Sequence, residues 1–223
     1  MEWRPYPDRE ALFLSLAQQI AGQLGQALRL NGRASLSVPG GTTPGPLFDL
    51  LSGVDLAWPQ VAVMLNDERW VPETSPRSNT ALVRRRLLRG HAAGAQLVPM
   101  RADAPTPEDA IEALAAGIAP HLPLTCLVLG MGEDMHTASL FPGGDRLEQA
   151  LAPDAPVLVA MRAAGAGEPR VTLSAPVLAG ALHIHLLILG AAKRDALERA
   201  RSLPPHLAPV RAVLDNAIVH WAE

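Results

Sequence analysis

Apolar residues recur at Leu12, Leu16, Ile20, Leu24 and Leu28. A spacing of four lines one face of a helix, so the pattern predicts a helix over Asp8 to Leu30. Asp8 follows Pro7 just ahead of the first periodic residue, where a short acceptor side chain caps free N–H groups. Asn31-Gly32-Arg33 stops the helix, and ASLSV (Ala34 to Val38) reads as a strand. A glycine-rich turn, PGGTTP, leads into a short helical pattern from Pro44 to Leu51. A second strand, VAVMLN (Val61 to Asn66), ends in DERWVP; SNTALVRRRLL then opens on a capping Ser or Asn and continues as a helix. Another helix is predicted over roughly Pro107 to Pro120.

LTCLVLG (Leu124 to Gly130) is a short, continuous apolar run and predicts a strand buried on both faces. Val157 to Met161, Arg170 to Leu173 and His183 to Leu189 read as further strands, with helices between them and after Ala192. Strands alternating with helices imply an α/β fold, an open, mostly parallel twisted sheet with helices on both faces, Rossmann-like in plan. Neither an internal repeat nor a dividing linker interrupts the pattern, so residues 1–223 are expected to form one domain. AAGAGEP (Ala163 to Pro169) is the most mobile-looking loop.

Composition narrows the function classes. With 48% apolar and 18% charged residues the chain can build an ordinary core, and disorder is not expected. A formal net charge of −3 argues against a nucleic-acid or anionic-membrane partner. The single cysteine, Cys126, sits in an apolar run and reads as core. MEWRPYPDRE lacks the apolar stretch of a secretory signal, and no apolar run reaches the ~20 residues that span a bilayer. A cytoplasmic protein is expected. Of 19 basic residues only one, Lys193, is lysine.

In an open parallel sheet, ligands bind outside the carboxyl ends of the strands, and the chemically suggestive residues fall there. PGGTTP follows a strand and opens a helix. Backbone N–H groups at Gly40 and Gly41, with the hydroxyls of Thr42 and Thr43, can cradle an anion, or simply form a turn and cap. The loop is neither a Walker P-loop nor a G-x-G-x-x-G fingerprint. Asp67, Glu68 and Arg69 place three charges directly after an apolar strand, where burial is expensive, unless the segment is a solvated loop. In GMGEDMHTASLFP, His136 offers an imidazole, the side-chain type suited to taking a proton from water, with Asp134 two residues away to orient it or tune its charge. A structural histidine is the alternative. Arg170 starts one strand and Lys193 follows another, each within reach of an anion. His91, His121, His183, His185, His206 and His220 show no zinc spacing, and RRRLLR (Arg84 to Arg89) reads as the wet face of a helix.

In their order, these segments resemble the 6-phosphogluconolactonase family. The glycine-rich loop of that family is matched by Gly40, Gly41, Thr42, Thr43 and Pro44, and its Asp-Glu-Arg segment by Asp67, Glu68, Arg69 and Val71 with Ser78 and Asn79 downstream. Its most specific stretch is matched by Gly130, Gly132, Asp134, His136, Ala138, Ser139, Leu140, Phe141 and Pro142. PRVTL, Gly190 and Lys193 fit the remaining landmarks. Three departures stand out. Met135 replaces a glycine between the Asp and the His, Val38-Pro39 replaces a smaller lead into the glycine loop, and the C-terminus is short. If the Met135 position needs positive φ, methionine is strained there by roughly 1 kcal/mol or more; otherwise the loop is re-formed. Glucosamine-6-phosphate deaminase shares the fold, but it carries a Glu where this chain has Phe141 and lacks the arginine supplied by Arg69.

The resemblance implies the deaminase-like α/β fold and a sugar-phosphate lactone as substrate. It implies a phosphate held by Gly40 to Thr43, Arg170 and Lys193, with His136 as general base on water. Asp134 would orient the imidazole or bind sugar hydroxyls, Arg69 would stabilise the oxyanion, and Asp67 would position it or the substrate. No metal or cofactor, no nucleic acid and no membrane are implied, and a monomer or small homo-oligomer is expected. A sugar-phosphate sensor without turnover is the non-enzymatic alternative.

Overall fold

Asp8 caps the first helix as its position suggests. Its backbone is extended (φ −156°, ψ 174°) and its carboxylate accepts the N–H of Ala11 at 2.8 Å. Helix α1 then runs Arg9–Asn31 and ends on Gly32 at φ +68°. Leu12, Leu16, Ile20 and Leu24 on its apolar stripe are fully buried.

The computed structural model describes residues 1–223. Its strands are β1 (Glu2–Pro5), β2 (Ala34–Val38), β3 (Val61–Leu65), β4 (Asp67–Arg69), β5 (Gln96–Leu97), β6 (Cys126–Leu129), β7 (Leu158–Met161), β8 (Arg170–Leu173), β9 (His183–Leu189) and β10 (Ala217–Ala222). The other helices are α2 (Gly45–Ser52), α3 (Asn79–Arg86), α4 (Ile111–Ile118), α5 (Leu147–Leu151), α6 (Ala175–Ala179), α7 (Ala191–Ala200) and α8 (Arg211–Leu214). Seven strands form a sheet in the order β1-β10-β9-β6-β2-β3-β5, and every pair in it is parallel. All residues of β2, β3 and β6 are buried, so both faces of the sheet centre are covered. No helix is long and apolar enough to cross a membrane.

The structure refines the sequence reading in three places. Val157–Met161 and Arg170–Leu173 supply β7 and β8, but these strands leave the parallel sheet. With β4 they build a separate antiparallel sheet in the order β4-β8-β7. Asp67–Arg69 is therefore not a loop after β3 but a strand of this second sheet. Asn66 is the joint: its N–H donates to Val38 and its carbonyl accepts from Leu173. Its buried side chain accepts from Ser37 Oγ at 2.6 Å and donates to the Val128 carbonyl at 2.7 Å. Finally, β1 and β10 extend the parallel sheet at the edge where the two ends of the chain meet.

A chain of polar side chains crosses the buried side of β9 and β10. Cys126 Sγ donates to Gln23 Oε1 (3.2 Å), which also faces His185 Nε2 (2.9 Å). That carbonyl oxygen requires a proton on Nε2, so His185 Nδ1 accepts from His220 Nε2 (3.0 Å), and His220 Nδ1 accepts from the Tyr6 hydroxyl (2.8 Å). One proton per imidazole satisfies the whole chain; a second on His185 would set its Nδ1–H against His220 Nε2–H. Burial, reinforced by neighbouring cations, drives His185 down to about 3 and His220 down to about 4. The same desolvation pushes the Cys126 thiol up to about 12.

These shifts fix a pH dependence. In the unfolded chain both histidines take up protons near pH 6.5, whereas the folded protein resists until pH 4 and pH 3. Below pH 6.5 the unfolded state binds more protons, so stability is complete above that pH and falls as the solution is acidified. Tm should decline steadily between pH 6.5 and 4. The paired substitution His185→Gln and His220→Gln should flatten the slope while lowering Tm at pH 7. Equal slopes in the two proteins would contradict the assignment.

Candidate active site

Four neighbouring strands of the parallel sheet, β9, β6, β2 and β3, end on one side of the molecule, and the loops that follow them wall a cavity of about 540 Å³. The second sheet closes it from β4 and β8. Every residue singled out from sequence as catalytic or binding lines this cavity: Gly40, Gly41, Thr42, Thr43, Asp67, Arg69, Asp134, His136, Arg170 and Lys193.

The loop after β6 is built around Asp134 and His136. His136 donates twice to Asp134 Oδ1, from its ring Nδ1 at 2.6 Å and from its backbone N–H at 3.2 Å. With the proton on Nδ1, the lone pair of Nε2 is free for a proton from water. Burial opposes the Asp134 charge, but the charge and hydrogen bonds of His136 outweigh it and hold the carboxyl below its ordinary value. Gly132 makes this pair possible. A Cβ there would lie 2.2 Å from both Asp134 Oδ1 and His136 Nδ1. The turn is closed by Gly132 N–H to the His136 carbonyl (2.9 Å) and Met135 N–H to the Gly132 carbonyl (3.0 Å). Met135 sits at φ +66°, so the loop keeps the left-handed geometry that a glycine would favour. Methionine bears a strain of about 1 kcal/mol, and the Asp–His pair forms regardless.

The loop after β2 offers donors. None of the amides of Gly40, Gly41, Thr42 and Thr43 donates to a protein acceptor, so all four are available to an anion. Gly40 packs so tightly on Asn79 that a Cβ there would lie 2.0 Å from Asn79 Oδ1. Lys193, half-buried in the first turn of α7, faces the same cavity and forms no ion pair.

Across the cavity, Arg69 and Arg170 are direct cross-strand partners in β4 and β8. Arg69 Nη1 donates to the Arg77 carbonyl (2.6 Å) and to Asn79 Oδ1 (3.1 Å); Arg170 Nη2 donates to the Ala166 carbonyl (3.0 Å). Asp67 is buried, and its Oδ2 accepts from Ser139 Oγ at 2.5 Å and lies 3.6 Å from Arg170 Nη1. Burial pushes the Asp67 carboxyl up, against the Ser139 hydrogen bond and the Arg170 charge.

Glu68 explains the third charge of the Asp-Glu-Arg segment. It is buried away from the cavity and accepts five hydrogen bonds: the N–H groups of Arg69, Asn79 and Thr80 and the hydroxyls of Ser78 and Thr80. Glu68 thus caps α3 and fixes Asn79, which also donates to the Asp67 carbonyl at 3.0 Å. The sequence reading took Asn79 as a helix start and a family landmark and gave it no role in the site. Its clue was the Ser-Asn pair at a set distance from Asp-Glu-Arg. Phe141 was matched to the family stretch and set against the deaminase Glu but given no role, yet its ring centroid lies 4.7 Å from that of His136 and 5.7 Å from Arg170 Cζ. Of the arginine run, Arg84, Arg85 and Arg89 are exposed and Arg86 pairs with Asp49.

A Rossmann-like sheet with an Asp–His pair, a free amide loop and three cations around one cavity defines a site for a small anionic ligand, and comparison with known proteins gives the family. The glucosamine-6-phosphate isomerase/6-phosphogluconolactonase family profile matches residues 7–221, and the chain belongs to that family. A 6-phosphogluconolactonase of Mesorhizobium japonicum is 43% identical, covering 99% of this chain and 94% of the relative. One from Rhizobium meliloti is 42% identical, covering 97% of each. The crystal structure of a 6-phosphogluconolactonase from Shewanella baltica superposes with a TM-score of 0.96 at 35% identity, covering 100% of this chain and 98% of the other.

Glu68→Gln removes the charge and turns an amide NH2 toward N–H donors. It should lower stability by about 3 kcal/mol in urea unfolding, the scale set by buried charged hydrogen bonds. A loss under 1 kcal/mol would show that Glu68 is not the anchor of this segment.

Proposed function

We propose that this protein hydrolyses 6-phospho-D-glucono-1,5-lactone to 6-phosphogluconate, acting in the cytoplasm as a monomer or small homo-oligomer. The observation that carries the reading is the Asp134–His136 pair, which leaves imidazole Nε2 free beside a cavity ringed by donors and cations. The amides of Gly40 to Thr43, Arg170 and Lys193 hold the phosphate, a remote anchor that sets the lactone carbonyl against the base. His136 Nε2 takes a proton from water as the water oxygen attacks C1. Asp134 holds the imidazole in the tautomer this requires and favours the imidazolium that forms. Arg69 stabilises the oxyanion, and Asp67, beside it in β4, completes that wall. Deaminase chemistry is disfavoured because the apolar ring of Phe141 packs on His136 where a ring-opening carboxylate would be needed.

His136→Ala should reduce kcat by about 10²–10⁴-fold with a small change in KM, the range for loss of a general base. Turnover equal to wild type in a coupled 6-phosphogluconate dehydrogenase assay would remove His136 from that role. Lys193→Ala should chiefly raise KM and weaken 6-phosphogluconate binding, by about tenfold for one charge-assisted contact. Unchanged affinity would misplace the phosphate.

A further inference from the structure

Asp67 and Arg170 are both buried on neighbouring strands of the small sheet, yet they do not close on one another. A carboxylate beside a guanidinium ordinarily settles into N–H···O contacts of about 2.7–2.9 Å. Here Asp67 Oδ2 and Arg170 Nη1 stand 3.6 Å apart, beyond hydrogen-bond range. Ser139 holds the carboxylate off, because its hydroxyl donates to that same Oδ2 at 2.5 Å. Ser139 is itself fully buried and fixed. Its backbone N–H donates to Thr172 Oγ1 at 3.2 Å, and Thr172 is the cross-strand partner of Asp67. The turn that carries it is closed by Leu140 N–H to the Thr137 carbonyl at 3.0 Å, and it holds Ala138 at φ +49°, a left-handed conformation that residues other than glycine avoid.

The consequence is a guanidinium with donors to spare. Of the five N–H groups of Arg170 only one, on Nη2, has an acceptor in the protein, the Ala166 carbonyl at 3.0 Å; Nε is buried with no partner. Coulomb attraction falls only as the inverse of distance. At 3.6 Å Asp67 therefore keeps roughly four-fifths of the attraction it would have at a hydrogen-bonded distance, while the hydrogen bond itself is absent. The carboxylate supports the Arg170 charge, which burial presses downward in pKa, without taking its donors. Burial likewise raises the Asp67 carboxyl, and the Ser139 hydrogen bond opposes this more strongly than the Arg170 charge does. Each charge is thus kept, and the pair stays open.

We propose that Ser139 is a positioning residue for anion binding: it keeps the Asp67–Arg170 ion pair open, so that Arg170 meets the substrate phosphate with its donors free. This rests on the phosphate reading above, in which Arg170 joins Lys193 and the Gly40–Thr43 amides. Without the Ser139 hydroxyl, Asp67 closes onto Arg170, and an incoming anion must break that pair before it can bind. Ser139 touches neither the anion nor the reacting atoms; it acts through Asp67.

Calorimetry with inorganic phosphate and with 6-phosphogluconate tests this. Ser139→Ala should weaken both ligands by about tenfold, the scale of one charge-assisted contact. Asp67→Asn removes the competing charge and should tighten inorganic phosphate by about threefold. In the Asp67→Asn background, Ser139→Ala should change phosphate affinity by less than about twofold, because no carboxylate remains to be held off. A residue that only maintained the fold would weaken binding equally in both backgrounds. That result overturns the proposal, as does wild-type affinity in Ser139→Ala. If Ser139→Ala does not fold, Asp67→Asn decides alone: tighter phosphate binding supports the proposal, and unchanged or weaker binding overturns it. A wild-type protein that binds neither ligand overturns the phosphate reading and the proposal together, whereas wild-type binding that ignores Ser139→Ala overturns the proposal alone.

Discussion

The buried carboxylate of Glu68 is the constraint on which the site depends. A charge out of water is costly, and five hydrogen bonds from Arg69, Ser78, Asn79 and Thr80 offset that cost. In satisfying Glu68, the chain after β4 is brought back to start α3 against that strand. Asn79 is thereby fixed between the Asp67 carbonyl, the Arg69 guanidinium and Gly40, so one buried charge sets the second sheet and the glycine loop in register. Without it the glycine loop and the second sheet would lose the Asn79 side chain that sits between them.

Asn66 works from the other side of the same seam. It bonds to β2, β6 and β8 at the point where the chain leaves the parallel sheet. The parallel sheet carries the base, the amide loop and Lys193; the antiparallel sheet carries Asp67, Arg69 and Arg170. Catalysis by such a site needs both sets fixed before substrate arrives, because preorganised donors lose their advantage if they must reorganise during the reaction. Glu68 and Asn66 supply that rigidity from buried positions.

Much of this was legible in the sequence because the signals are local. The period-four stripe and Asp8 cap gave α1, the apolar runs gave β2, β3 and β6, and the glycine, Asp-Glu-Arg and Asp-x-His motifs marked the strand ends that line the cavity. What was not legible is non-local. RVTL and VLVAM read as strands, but alternation cannot say which sheet a strand joins, so the antiparallel unit and the Arg69–Arg170 pairing stayed hidden. The edge strand EWRP pairs with its neighbour AIVHWA from the opposite end of the chain. The φ of Met135 was posed as a question by the sequence and answered only by the fold: tertiary bonds hold the turn in a conformation methionine does not prefer.

The central claim is that this preorganised seam turns over a sugar-phosphate lactone rather than merely binding one. Its most direct test is the disappearance of freshly generated 6-phosphogluconolactone with and without the wild-type protein at catalytic concentration, followed against the spontaneous reaction. The account predicts loss of the lactone well above the spontaneous rate, over many turnovers per protein. A rate equal to the spontaneous one, with 6-phosphogluconate still bound, would contradict it and leave a sensor in place of an enzyme.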